Sequence, residues 1–201
     1  MSGMKKNTRN TKGKIVSAAW QLFYRHGYED TTIEEIVELS GTSKGSFYHY
    51  FSCKDDLLSS LSYLFDEKYE ELFVEFEEVY PDMPPMEKFL YTNQTLFRML
   101  ENTITVELLS KLFSAQLVTK GERPMLNASR PYFKLLRKIA SEGLSNGDFR
   151  SDLSVNDIAQ MWLLLEHGLM YNWCSHGGNY SISQYSAKVL PILLQGITAQ
   201  K

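Results

Sequence analysis

The chain has 201 residues, 43% hydrophobic and 22% charged, which is enough length and apolar content to bury a core without metals or disulfides. Dominant disorder is excluded, as is a disulfide scaffold: the two cysteines, Cys53 and Cys174, lie far apart and are expected as free thiols in a reducing cytoplasm. No apolar run approaches the roughly twenty residues of a membrane span, and the basic start lacks the apolar stretch of a secretory signal. The net charge of −3 hides an asymmetry. Residues 1–14 carry five basic residues and no acid, 1–55 carry eight basic and six acidic, and 56–201 carry 13 basic and 18 acidic. A basic arm ahead of an acidic body predicts that one end alone meets a polyanion, unless the arm is merely a solvated tail.

Helical periodicity runs through the whole chain, with no convincing strand, so the fold class is all-α. Ile15, Ala18, Ala19, Leu22 and Phe23 share one face of a first helix that stops at His26-Gly27. Thr32 and Glu35 have capping-box spacing ahead of a short second helix with Ile33, Ile36 and Val37 on its buried stripe. A third begins at Ser43, with Phe47 and Phe51 one turn apart. Ser52 is expected to cap a fourth that runs unbroken toward Tyr80, where Pro81, Pro84 and Pro85 end it. Further helices are predicted at 86–101, 105–120 and 129–144, the last stopped by Asn146-Gly147. An apolar helix at 155–175 closes at Gly177-Gly178. A final one spans 182–198 and should kink at Pro191.

Residues 31–51 have the form of a helix-turn-helix: a short helix, a glycine turn at Gly41, a second short helix. The first turn of that second helix, Lys44-Gly45-Ser46, has no carboxylate, although the macrodipole favours acids there. A helix start with Ser43, a lysine and a glycine suits a phosphate or a base edge, and Gly45 lets backbone come close to a duplex. Tyr48, His49 and Tyr50 are consecutive, so they cannot all be buried. With Phe47 and Phe51 in the core, Tyr48 and His49 face outward and Tyr50 sits at the edge. Lys54 adds a cation at the next helix start. The alternative is a cluster that only packs a short helix.

The run FYRHGYEDTTIEEIVELSGTSKGSFYHYFSCKDDLL resembles the N-terminal domain of the TetR family of bacterial transcription regulators. The resemblance covers about residues 8–68, with mild departures at Val37, Thr42 and Cys53. It implies that Thr31 or Thr32 contacts the DNA backbone and that Thr42, Ser43, Lys44, Gly45 and Ser46 lie at the major groove. It also implies that Tyr48 holds a phosphate, His49 reaches bases or backbone, Tyr50 the backbone and Lys54 a phosphate. The basic arm would lie along the neighbouring minor groove.

Residues 69–201 match the family in outline only, through a phrase running from Glu142-Gly143 to Asp152-Leu153. The resemblance implies a helical ligand-binding and dimerisation domain. The helices at 155–175 and 182–198 would form a four-helix bundle across a two-fold axis, so that two heads reach the two half-sites of a pseudo-palindromic operator. It further implies a pocket between the middle helices and the penultimate one, with Phe113, Gln116, Tyr132, Trp162, Glu166, His167, Met170 and Tyr171 as its candidates. Adaptable methionine and rigid aromatics suit an apolar or amphipathic small ligand, although such a stripe also makes plain core. A carboxylate on so apolar a helix must be paired, exposed or functional: Glu166 either receives a cationic ligand or sits at the dimer edge.

No P-loop, nucleophile elbow or metal-ligand spacing occurs, so no enzyme, cofactor or metal is expected. The predicted function is a cytoplasmic, homodimeric DNA-binding regulator: a repressor released from its operator by a ligand. The alternative is a regulator without a ligand, controlled by a protein partner.

Overall fold

In the computed structural model, residues 2–118 and 126–199 are described, apart from the side chains of 2–10, 59 and 61–64. They form ten α-helices and a terminal 3-10 turn; the β-structure among them is one isolated bridge, between Phe149 and Thr198. None of these helices is long and apolar enough to cross a membrane.

Helix α1, Ser2–His26, carries the expected apolar face. Ile15, Ala19 and Phe23 are fully buried, against α2, Ile33–Ser40, and α3, Lys44–Tyr50. The backbone is helical from Ser2, so the basic arm continues α1 as a helix and is not an extended tail. Thr32 caps α2 in a reciprocal capping box with Glu35, satisfying two end donors that would otherwise face solvent. Gly41 ends α2 at φ 62°, a left-handed conformation that glycine adopts without a Cβ penalty.

The expected unbroken fourth helix is two. Helix α4, Asp56–Ser59, is one turn long, and α5, Leu61–Glu78, follows it. Ser60, between them, is buried. Its hydroxyl donates to the Leu57 carbonyl at 2.5 Å and accepts from the Trp20 indole at 3.2 Å, which ties the junction to α1. Ser52 does not act as the cap. Its own amide donates to the Asp56 carboxylate at 2.7 Å.

The body follows the predicted order. Helix α6, Pro85–Thr103, begins with proline in its first turn, where the missing N–H costs nothing. Helix α7, Val106–Val118, takes a hydrogen bond from the Leu108 amide to the Thr105 hydroxyl at 3.3 Å; the predicted end at Lys120 falls outside the described residues. Helices α8, Pro131–Ser145, and α9, Val155–Ser175, are joined by the 146–154 connection. There the Phe149 ring lies on Gly143 so closely that a Cβ would stand 2.2 Å from it. Helix α10, Ile182–Leu193, contains Pro191 and passes into the 3-10 turn Leu194–Ile197, ending sooner than expected.

Helix α5 packs on α6 and α8, α6 on α8 and α10, α7 on α4 and α9, and α9 on α8 and α10. The buried residues of all these helices form one continuous core. Polar ties reinforce it: buried Lys88 pairs with Glu142 at 2.7 Å, and Gln94 donates to the Ser183 carbonyl at 2.9 Å.

Candidate DNA-reading helix and ligand cavity

Helix α3 buries Phe47 and Phe51 in the head and turns its other side to solvent. Ser43 caps it, accepting from the Ser46 amide at 3.1 Å, and the two hydroxyls lie 3.0 Å apart. The Thr42 hydroxyl bonds that of Ser40 at 2.7 Å. Gly45 is exposed, and a Cβ there would meet only the Ser43 Oγ at 3.8 Å. Tyr48 is 55% exposed; His49 is exposed with its ring against that of half-buried Tyr50, 4.7 Å away. Lys44 forms an ion pair with Glu34 across the helix-turn-helix; both are exposed, so solvent screening leaves the pair little strength. Exposed Thr32 stands nearby at the start of α2, its hydroxyl shared with Glu35.

Two predicted contact residues point elsewhere. Thr31 is buried, and its hydroxyl donates to the Gly27 carbonyl at 2.7 Å. The Lys54 ammonium donates to the carbonyls of Tyr28, Glu29 and Thr31 at 2.6, 3.1 and 2.9 Å and lies over the Tyr28 ring. A lysine has three N–H donors, and here all three hold the loop between α1 and α2. Tyr28 in turn donates to Asp55, and burial, then that carboxylate, pushes its phenol well above its usual range.

A cavity with about 50 Å³ of free interior lies in the body. Phe65 and Tyr69 come from α5, Leu96, Phe97 and Leu100 from α6, Leu109 and Leu112 from α7, and Met170 from α9. Arg130, Tyr132, Glu166 and His167 make its polar side. Glu166 is 3% exposed. One of its oxygens accepts from the Asn93 amide at 2.9 Å, the other from the Tyr132 hydroxyl at 2.6 Å. Burial raises this carboxyl above its usual range, with the donors Tyr132, Asn93 and Trp162 pulling the other way. Arg130 holds Asp66 of α5 at 2.9 Å. Burial pushes the His167 imidazole down, toward its neutral form. Glu166 therefore belongs to the interior of the body and not to its edge.

Of the predicted ligand residues, Tyr132, Glu166, His167 and Met170 line this cavity and four do not. Phe113 packs edge-on against His167 at 5.9 Å. Gln116 has a buried oxygen without a partner but is not on the wall. Trp162 is core, stacked on Phe89 at 4.6 Å. Tyr171 is 65% exposed on the outside of α9.

The sequence profile of the bacterial regulatory proteins of the tetR family matches residues 15–61, and that of the C-terminal region of YsiA-like proteins matches residues 65–196. The chain belongs to the TetR family. A fatty acid metabolism regulator protein of Bacillus subtilis is 24% identical over 185 residues, spanning 92% of this chain and 94% of the relative. The transcriptional regulator FadR from Bacillus subtilis, solved in complex with stearoyl-CoA, shares the fold with a TM-score of 0.70 at 22% identity, covering 92% of this chain and 99% of that one. FadR of Thermus thermophilus, in complex with lauroyl-CoA, gives 0.69 at 22% identity, covering 94% and 96%.

As a TetR regulator the chain is a DNA-binding transcriptional regulator with a helical ligand-binding region. The exposed side of α3 is legible in the sequence, because the helix is too short to hide its outward residues. The cavity was legible on its α8 and α9 walls but not on α5. The missed Phe65 and Tyr69 stand one turn apart with Leu72 and Phe76 beyond, and that aromatic stripe was the available signal.

Proposed function

We propose that this protein is a homodimeric repressor that leaves a pseudo-palindromic operator when an acyl thioester enters the body. Residues 8–68 form the DNA-binding head and residues 69–201 the sensing and pairing body. The head reads DNA through Thr42, Ser43, Lys44, Gly45, Ser46, Tyr48, His49 and Tyr50, with Thr32 against the neighbouring backbone. Thr31 and Lys54 shape that surface from behind. Hydroxyls and the lysine fix register on phosphates, and the small residues at the start of α3 let its backbone reach base edges. Exposed Leu164 and Tyr171 on α9 and Ile192 and Leu193 on α10 supply the apolar surface for a second copy, which places two heads on two half-sites.

The apolar-walled cavity in the YsiA-like region is the observation that carries the ligand half of this reading. Its 50 Å³ holds a few water-sized groups, far less than the roughly 300–1,000 Å³ of ligand pockets. A space of this size takes no long chain, so an acyl ligand binds a wider state and shifts the population toward it. Widening moves α7, whose Leu109 and Leu112 line the cavity. The same helix carries Lys111, paired with Glu29 of the head and placed over the Tyr28 ring. Release of that grip changes the spacing of the two heads.

The test begins with DNA fragments of the source genome selected at about 150 mM salt, where non-specific binding is weak. Fluorescence anisotropy on the enriched site then follows added lauroyl-CoA, stearoyl-CoA and free coenzyme A. Release by the thioesters and not by coenzyme A is expected. An operator complex indifferent to every thioester would overturn the ligand half, and no enriched site from a folded dimer would overturn the whole reading.

A further inference from the structure

Among the described residues of the cavity wall, Arg130 alone carries a fixed positive charge. Glu166 is an acid, Tyr132 gives its hydroxyl to Glu166, and burial holds His167 toward its neutral form. The Arg130 guanidinium faces Asp66 of α5, with Nη2 2.9 Å from Oδ1 and Nε 3.1 Å from Oδ1 and 3.3 Å from Oδ2. The two side chains are only 12% and 17% exposed, so solvent and salt screen the pair far less than a surface one. A guanidinium fork fits the paired oxygens of a carboxylate or a phosphate, and Asp66 supplies such a pair from within the chain. Asp66 lies in the second turn of α5, shortly after the Ser60 junction that is bonded to Trp20 of α1. Its neighbours on that helix, Phe65 and Tyr69, line the cavity.

We infer that Arg130 anchors an anionic group of the ligand, and that Asp66 holds that place until the ligand arrives. An anion on Arg130 displaces the Asp66 carboxylate, and a carboxylate left without its partner in a largely buried place is costly. Asp66 then turns toward water, and α5 loosens from α8 in the stretch that joins the head to the body. An uncharged chain has nothing to exchange for the carboxylate and leaves the tie intact. The anion is a phosphate of a coenzyme A thioester or the carboxylate of a free acid, which present the same oxygen pair to the guanidinium. This rests on the cavity being the ligand site, and it assigns the residue that reads the ligand's charge.

The experiment titrates the full-length protein with dodecanoyl-CoA, dodecanoate and dodecan-1-ol by calorimetry. It compares the parent with Asp66→Asn, with Arg130→Gln and with the double variant that removes both charges together. Asp66→Asn should bind the anionic ligand about tenfold more tightly, because the guanidinium no longer has to be won from a carboxylate, and Arg130→Gln about tenfold more weakly. Opposite signs from the two halves of one ion pair distinguish exchange from a structural tie, whose loss would weaken binding in both. Dodecan-1-ol should bind all four proteins within about threefold of one another. If a single variant fails to fold, the double variant decides: its ratio of anion to alcohol affinity should fall about tenfold from the parent's, and an unchanged ratio overturns the inference. Dodecanoyl-CoA bound equally by the parent and both single variants overturns the inference and leaves the thioester reading intact. Dodecanoate bound with the expected opposite signs, and dodecanoyl-CoA not bound, upholds Arg130 and overturns the thioester reading. Binding of neither anion overturns both.

Discussion

Lys54 shows how a residue can carry a family signature and work differently from its apparent role. With its three donors on loop carbonyls, Lys54→Ala should cost about 2 kcal/mol of stability, since hydrogen bonds to a charged group are the stronger kind. The salt dependence of operator binding should stay put; a lost phosphate contact would instead flatten the logarithmic slope by about 0.9. Gly45→Ala separates stability from function in the opposite sense. The space around Gly45 is open, so alanine should stabilise the helix by roughly 0.5–1 kcal/mol. Operator affinity should fall all the same, because the Cβ stands where DNA approaches. Melting and anisotropy on one preparation check both, and a variant with higher Tm and undiminished affinity would move the reading surface off Gly45. Glu166 gives a pH signature. Its carboxyl is raised on folding above an unfolded value of about 4.3. The folded state therefore binds more protons in the window between the two, and stability falls as pH rises through it. Glu166→Gln lacks this titration, so its Tm relative to the parent should climb from about pH 4 upward, whereas a difference flat with pH would mean the carboxyl is not raised.

Some element boundaries are legible where backbone chemistry marks them. The 155–175 span matches α9, because Ser154 and Asp157 form a capping box at one end and Gly177 and Gly178 take positive φ at the other. The break between α4 and α5 was invisible because nothing in a lone serine announces it. The junction is tied by the Trp20 indole reaching Ser60 from forty residues away, a tertiary contact with no local trace. Helix α7 was recognised as a helix, but its role as a strut comes only from the fold, which brings Lys111 to Glu29 and Tyr28. Lys111→Ala should reduce the coupling between ligand and operator by about 1 kcal/mol. The ratio of operator Kd with and without saturating lauroyl-CoA measures it. An unchanged ratio would assign the coupling to the α4–α5 junction.

For the whole molecule, one helix serves two purposes. Helix α9 faces the cavity with Glu166 and Met170 and solvent with Leu164, which is 70% exposed. Sequence alone could not assign Trp162 to core and Tyr171 to the outside, since each residue is aromatic and the division depends on which neighbour covers which face. Leu164→Glu should leave the fold and its Tm nearly intact while converting dimers to monomers and weakening the operator complex. Light scattering and anisotropy read the two effects, and a dimer that persists would place the interface elsewhere. The tightness of the cavity also has a consequence in time. A ligand that fits only after the helices part must wait for that opening, so its observed association rate should level off at high concentration, at the rate of the opening step. Induction by such a regulator has a built-in delay that more ligand cannot shorten, and brief pulses of metabolite would pass without a transcriptional response.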